Sequence, residues 1–419
     1  MFRLQDRSPP HIRRGHPVST QNHIDETLDT ADAPAADSKK KPQTPVKLKG
    51  TSWKYAFKRA VKEFTADGGT DLAAMLTYYT VLSLAPALLA IFSIVSLVLA
   101  NNADTVTGLV DDVVTQYVPA DYQGLVTNLV ETMTSSATGG VIALIIGIAT
   151  ALWSSSAYVK AFSRCMNTIY GRTEGRTLIK QTGTMLLTTL AMLLGIVLIL
   201  VSIALNETVV TAVLGPIAEP LGLGGMLTFL TQSFLPIWAW AKWPFILALV
   251  IGMIALLYYT TPNVKQPKFT WISMGAVVAI IGIAIAAVAL SIYFAQFAGY
   301  SSYGAIGSVM ALLFALWVFN IVLLLGAEVD AEVERARELQ AGIPAEESIQ
   351  LPPRDTAKVE KMKETRDQLE TEGRILRMTH GEQSSADSQS GLGEPGGDRP
   401  GAVGPNLGAT GRGSSAAND

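Results

Sequence analysis

AAMLTYYTVLSLAPALLAIFSIVSLVLA, residues 73–100, runs for 28 residues without a charge. About 20 suffice to cross a hydrocarbon core of roughly 30 Å at ~1.5 Å per residue. A buried helix of a soluble domain rarely continues so far without a charge, so the stretch reads as a transmembrane helix and decides the fold class. Its first half is unusually polar, with Thr77, Tyr78, Tyr79, Thr80 and Ser83, and Pro86 follows near the middle. Proline removes a backbone donor, which lipid tolerates only where neighbouring helices satisfy the freed carbonyl. The polar half is therefore expected to face other helices.

Working outward, the segment before this span holds Trp53, Phe57, Ala60, Val61 and Phe64 at helical spacing, with Lys54, Lys58 and Lys62 on another face. That pattern predicts an amphipathic helix lying in the membrane interface and ended by Asp67-Gly68-Gly69. Residues 1–49 are rich in Pro, Asp, Lys and Thr and are expected to form a disordered tail, with no apolar run of the kind that makes a cleaved signal. Residues 101–139 carry five acids and no Lys or Arg. Two short amphipathic helices are expected there, around 103–133, on the outer side.

Further apolar runs at about 140–158, 183–205, 237–259, 269–298 and 303–327 bring the spans to six. The basic residues gather before span one and in the loops 159–182 and 262–268, whereas the alternate loops have none. By the positive-inside rule both termini face the cytoplasm and the protein is a multi-pass component of the inner membrane. Pro216, Pro220, Gly222, Gly224 and Gly225 break the apolar segment 206–236, which could be re-entrant or an ordinary outer loop. Gly275/Ala279, Gly282/Ala286 and Gly307/Ala311/Ala315 have the four-residue spacing of close helix packing. Beyond 327 a charged helical extension is followed by a cytoplasmic tail, 341–419, with a solvated helix expected over 353–379. The domain expected is thus 50–340, all-α.

A net charge of −3 gives no support to nucleic-acid binding, and the single cysteine, Cys165, allows no internal disulfide and no thiolate metal cluster. All four histidines (His11, His16, His23 and His380) lie in the tails. No metal-ligand spacing, phosphate loop or acid–base pair is legible in the helical region, so neither catalysis nor a cofactor is expected.

LTYYTVLSLAP at 76–86, SRCMNTIYG at 163–171 and YSSYGAIGSVMALLFALWVFNIVLLLGAEVDAEVE at 300–334 together resemble the YihY/BrkB family of bacterial membrane proteins. The resemblance spans roughly 50–340. It implies a six-helix inner-membrane protein from a family that has carried the labels of virulence factor and, by misassignment, of a tRNA-processing ribonuclease. Lipid movement has been suggested for it.

Two functions fit these readings. A transporter-like or lipid-translocase-like bundle would use a cavity or gate drawn from Thr77, Tyr78, Tyr79, Thr80, Ser83, Pro86, Arg164, Asn167, Asn320 and Glu328. In that reading Asn320 is an amide within span six and Glu328 closes the span, where Arg164 and Asn167 could meet it. A non-transporting scaffold or envelope-integrity factor would instead work through partner proteins or as a homo-oligomer. Membrane lipids are partners in either case. For most of these side chains an ordinary alternative exists: interhelical hydrogen bonding for the span-one hydroxyls, a boundary acid for Glu328 and basic anchoring for Arg164.

Overall fold

The computed structural model describes residues 20–35, 37, 38, 41, 42, 47–98, 115, 123, 124, 140–207, 210, 211, 223–266, 273–297 and 304–390. The chain divides into two units, Met1–Lys363 and Glu364–Asp419. In the second, the described residues continue a long, largely exposed helix, Ala357–Ser390 (α10). The other helices are α1 (Thr20–Asp29), α2 (Gly50–Ala66), α3 (Gly69–Val98), α4 (Gly140–Ile169), α5 (Leu178–Ala204), α6 (Gly224–Phe229), α7 (Leu235–Thr260), α8 (Met274–Phe297) and α9 (Gly304–Gln340). A π-helical turn, Leu230–Phe234, joins α6 to α7.

Among the described residues, four stretches are long and apolar enough to cross a membrane: Leu178–Ala204, Gly224–Thr260, Met274–Gln296 and Gly307–Gln340. They coincide with the third to sixth predicted spans. The first two predicted spans fall on α3 and α4, each 30 residues long, part of whose side chains lie outside the described residues. The outer helices expected around 103–133 lie almost wholly outside them too. On α8, Ile281, Ile285, Val288 and Ile292 form an exposed stripe. In water such a stripe would be a liability; against lipid tails it carries no penalty.

Close packing of α8 on α9 follows from small residues. A Cβ at Gly275 would lie 2.1 Å from the Gly326 carbonyl oxygen, and one at Gly282 would lie 2.6 Å from a Val322 methyl. The expected Gly275 and Gly282 contacts are thus present, with Gly326 and Val322 respectively as their partners on α9 rather than Gly307, Ala311 or Ala315. Asp330 reaches across to accept the Gly275 N–H at 2.6 Å, so a carboxylate from α9 satisfies a donor at the start of α8.

Helix α2 departs from the interfacial reading. Its small residues Ala56 and Ala60 are buried with Val329, Val333 and Ala336 of α9. Ser52 donates to Gln340 at 3.0 Å and Arg59 pairs with Glu332 at 3.3 Å, so the two helices run antiparallel. The expected apolar stripe is split: Ala60 packs on protein, while Phe57 and Val61 remain exposed. Gly68 adopts φ +67° after α2, a conformation glycine takes without strain, and Gly69 leaves room for the Phe64 ring, which a Cβ would meet at 2.4 Å.

The disordered tail expected over 1–49 is also corrected where the chain is described. Thr20–Asp29 is helical, Ile24 is buried, and Lys41 is completely buried. Composition argued that this segment cannot build a core; it has no need to, because it docks on one already formed.

Candidate functional site

The polar half of α3 is tied to two other helices. Thr77 donates its hydroxyl to the Ala73 carbonyl at 2.8 Å and accepts from Asn320 Nδ2 at 3.2 Å. Tyr158 of α4 donates to Asn320 Oδ1 at 3.1 Å. The Asn320 amide thus has a partner on each side and joins α3, α4 and α9. Thr80 bonds back to the Leu76 carbonyl at 2.8 Å, and Tyr78 is 63% exposed. Ser83 is buried with no partner for its Oγ among the described residues. Pro86 lies within α3, which continues past it to Val98. Thr77 and Asn320 are therefore brought together, while Tyr78 is turned away from them.

At the charged end of the bundle the loop after α4, the loop after α7 and the strap 345–356 form a hydrogen-bonded plate. Arg176 grips Glu174 with Nε at 2.8 Å and Nη2 at 2.7 Å. It also donates to the carbonyls of Thr260 at 3.1 Å and Thr261 at 2.7 Å, placing a cation on the C-terminus of α7. Asn167 accepts the Asn263 N–H at 2.7 Å and donates to Glu174 at 3.1 Å. The Asn263 amide in turn donates to the Thr173 and Asp355 carbonyls, each at 3.0 Å. Gly175 sits so near the strap that a Cβ would lie 1.7 Å from the Asp355 carbonyl oxygen. Arg354 donates to the carbonyls of Val264 and Tyr259 and stacks on the Tyr259 ring. Arg172 is buried and donates to the carbonyls of Ile349 and Leu351. Lys180 hydrogen-bonds Asp355 at 2.8 Å, which holds that carboxyl below its usual range.

The extension of α9 is likewise enclosed. Residues 331–338 are all buried. Lys41 bridges Glu334 at 3.1 Å and Glu338 at 2.9 Å, and Glu334 also pairs with Arg337. Glu332 pairs with Arg335 at 2.9 Å and with Arg59. Glu338 further accepts the Gln350 N–H at 2.7 Å. Each of these charges has an opposite partner, as burial requires. Asp67, at the α2–α3 turn, is less well balanced: burial, and then the Glu63 and Glu332 charges, push its carboxyl up to about 7 against the opposing Arg335.

Glu328 is only 1% exposed, so the boundary-acid reading does not hold for it. Nor does it pair with Arg164. That guanidinium is exposed and lies 5.2 Å from the Tyr79 ring centroid. Glu328 has no ion pair or hydrogen bond of its carboxyl among the described residues. Its packing surroundings, which include Asp67 and Glu332, are acidic. Among the described residues no three His, Cys, Asp or Glu side chains are grouped to hold a metal ion.

The sequence profile of the family described as Virulence factor BrkB matches residues 60–349. The chain belongs to the BrkB family. The match covers the end of α2 from Ala60, all the helices from α3 to α9, and the strap up to Ile349. Over 285 residues the chain is 28% identical to a ribonuclease-like protein of Bacillus subtilis (strain 168), YfkH, covering 67% of this chain and 96% of that one. No solved structure matches the chain. The BrkB-family match thus extends beyond 340, where sequence reading had ended the domain, and takes in part of the strap.

The residues missed from sequence were Glu174, Arg176, Asn263, Arg354 and Asp355. Arg172 and Arg176 had been read only as basic loop residues, although both are buried. The available signals were a glycine between Glu174 and Arg176 and an asparagine directly after Pro262.

Proposed function

We propose that this chain is a six-span inner-membrane protein with both termini in the cytoplasm, working as a transporter-like or lipid-translocase-like bundle and not as an enzyme. Helices α3 and α4 supply the first two spans; at ~1.5 Å per residue each is about 45 Å long, ample for the hydrocarbon core. The observation that carries the reading is Glu328, a buried carboxyl without a bonded partner among the described residues, at the end of the apolar part of α9. An ionisable group so placed is a functional candidate by default. Eight positions before Glu328 on α9, Asn320 anchors the Thr77–Asn320–Tyr158 link, which gives α3, α4 and α9 a polar seam that could exchange partners when the bundle opens. Its mechanism would be exposure of that seam to one side of the membrane at a time. Neither a nucleic acid nor a cofactor enters this reading.

A scaffold or envelope-integrity role, through a partner protein or a second copy, is favoured by a different observation. The plate ties the ends of α4 and α7 to the strap with many buried hydrogen bonds, which resist opening.

Untargeted lipid and metabolite analysis of protein purified in native nanodiscs separates the two. Recovery of a stoichiometric lipid or solute, lost in Glu328→Gln, supports transport, whereas recovery of a stoichiometric protein partner supports the scaffold. Topology is tested with an impermeant maleimide in a Cys165→Ser background. Asp112→Cys is expected to react on permeabilised-envelope cells and Ile179→Cys only after lysis; the reverse pattern overturns the orientation.

A further inference from the structure

The cations at the charged end are not alike. Arg172, Arg176, Arg335, Arg337 and Arg354 direct their N–H groups at protein oxygens. Lys160 and Arg164 of α4 do not: among the described residues neither side chain donates a hydrogen bond or meets a carboxylate within 4 Å. Both lie over aromatic rings, Lys160 Nζ 4.4 Å from the Trp153 centroid and Arg164 Cζ 5.2 Å from the Tyr79 centroid. A lysine offers three donors and an arginine five, and here they point from neighbouring turns of one helix, about 6 Å apart along its axis. Residues 153, 160 and 164 share a face at the helical period, and Trp153 is 56% exposed. Across the α3–α4 contact, Val81, Leu82 and Leu84 of α3 are exposed apolar side chains.

We propose that Lys160 and Arg164, backed by Trp153 and Tyr79, bind the phosphate of an anionic phospholipid at the α3–α4 contact. This deepens the translocase-like reading above and rests on its assignment of α3 and α4 as spans. Two adjacent cations with free donors match a phosphodiester by charge-assisted hydrogen bonds. The exposed aromatic and aliphatic side chains beside them match acyl chains, which a soluble phosphate lacks. A zwitterionic headgroup brings its own cation to a doubly positive site without a carboxylate, so an anionic lipid is favoured.

The test uses the full chain in nanodiscs of phosphatidylcholine doped with acyl-brominated phosphatidylglycerol. Quenching of Trp153 is isolated by subtracting the Trp153→Phe variant. We expect half-quenching at roughly tenfold less brominated phosphatidylglycerol than brominated phosphatidylcholine, a ratio equal to about 1.4 kcal/mol. Lys160→Gln/Arg164→Gln should abolish the preference, and Lys160→Arg/Arg164→Lys should keep most of it, which separates binding from damage to the fold. Equal quenching by the two lipids, or an unchanged preference in the Gln double variant, overturns the proposal. Displacement by millimolar glycerol phosphate would make this a soluble-anion site and overturn it as well. Because the maleimide labelling stands apart from quenching, a correct topology with no lipid preference rejects this site alone, whereas a wrong topology rejects the span assignment.

Discussion

The charged end and the apolar belt of this protein are held together by different means. In the belt, helices are apolar on several sides and contact one another through small residues such as Gly275, Gly282 and Gly326, with single polar links such as Thr77–Asn320–Tyr158. At the charged end, Lys41, Glu332, Glu334, Arg335, Arg337 and Glu338 are buried in mutual pairs, and Arg172, Arg176 and Asn263 bind backbone carbonyls. A belt contact is weak singly because lipid competes for the same apolar surface. A buried pair is demanding singly, because a charge left alone cannot recover its hydration. The belt should therefore tolerate substitutions that the charged end does not.

The sharpest way to break that contrast is Gly175→Ala. The new methyl would meet the Asp355 carbonyl oxygen, a backbone atom that cannot turn aside. We expect a loss of about 4 kcal/mol or more, read as failure to recover monodisperse protein in detergent. Gly183→Ala, with open space at its Cβ, serves as the control and should be neutral. Next comes Lys41→Met, which leaves Glu334 and Glu338 without that cation and should cost about 3–5 kcal/mol. Adding Glu338→Gln should return part of the loss, and strictly additive losses would show that the two do not act as a pair.

Asp67 sharpens the comparison through pH. Its carboxyl rises from 3.8 to about 7 in the folded chain, because of burial and then the Glu63 and Glu332 charges, opposed by Arg335. The folded state therefore holds this proton more tightly than the unfolded one. The stabilisation is full below pH ~4 and is lost as pH rises through about 7. Asp67→Asn should raise the melting temperature at pH 8 relative to wild type and flatten its dependence on pH between 5 and 8; an unchanged slope would contradict the buried setting. The smallest effect is expected in the belt: Asn320→Leu should cost roughly 0.6 kcal/mol and at most about 1.7, since membrane hydrogen bonds average little more. A loss as large as that of Lys41→Met would erase the distinction between the two regions.

The same contrast explains what could be read in the sequence. Apolar runs and small-residue spacing are local properties, so α5, α7, α8 and α9, and the Gly275 and Gly282 contacts, were legible from residues near one another in the chain. Burial of charge is not local. Nothing around Lys41 announces Glu338, 297 positions later, and nothing around Arg176 announces the carbonyls of Thr260 and Thr261. Basic residues in a loop carry the same letter whether they face water or cap a helix. Hence Arg172 and Arg176 read as topology signals, and Glu328 either as a boundary acid or as the partner of Arg164, an arginine that in fact stacks on Tyr79. Of the candidate site, Thr77 and Asn320 were each legible as polar groups in need of a partner, because an unpaired amide or hydroxyl is costly away from water, but that they meet each other was not.

The strap has a consequence for how the protein is made. The plate takes Asn263 to the Asp355 carbonyl, Arg172 to Ile349 and Leu351, and Lys265 N–H to the Pro352 carbonyl at 2.8 Å. Those partners are among the last of the bundle to leave the ribosome, well after the helices they secure have entered the bilayer. A nascent chain halted before residue 345 would have its apolar helices in place yet present bare guanidinium and amide groups at the surface. Synthesis of the strap is then also the step that satisfies the buried donors of the loops before it.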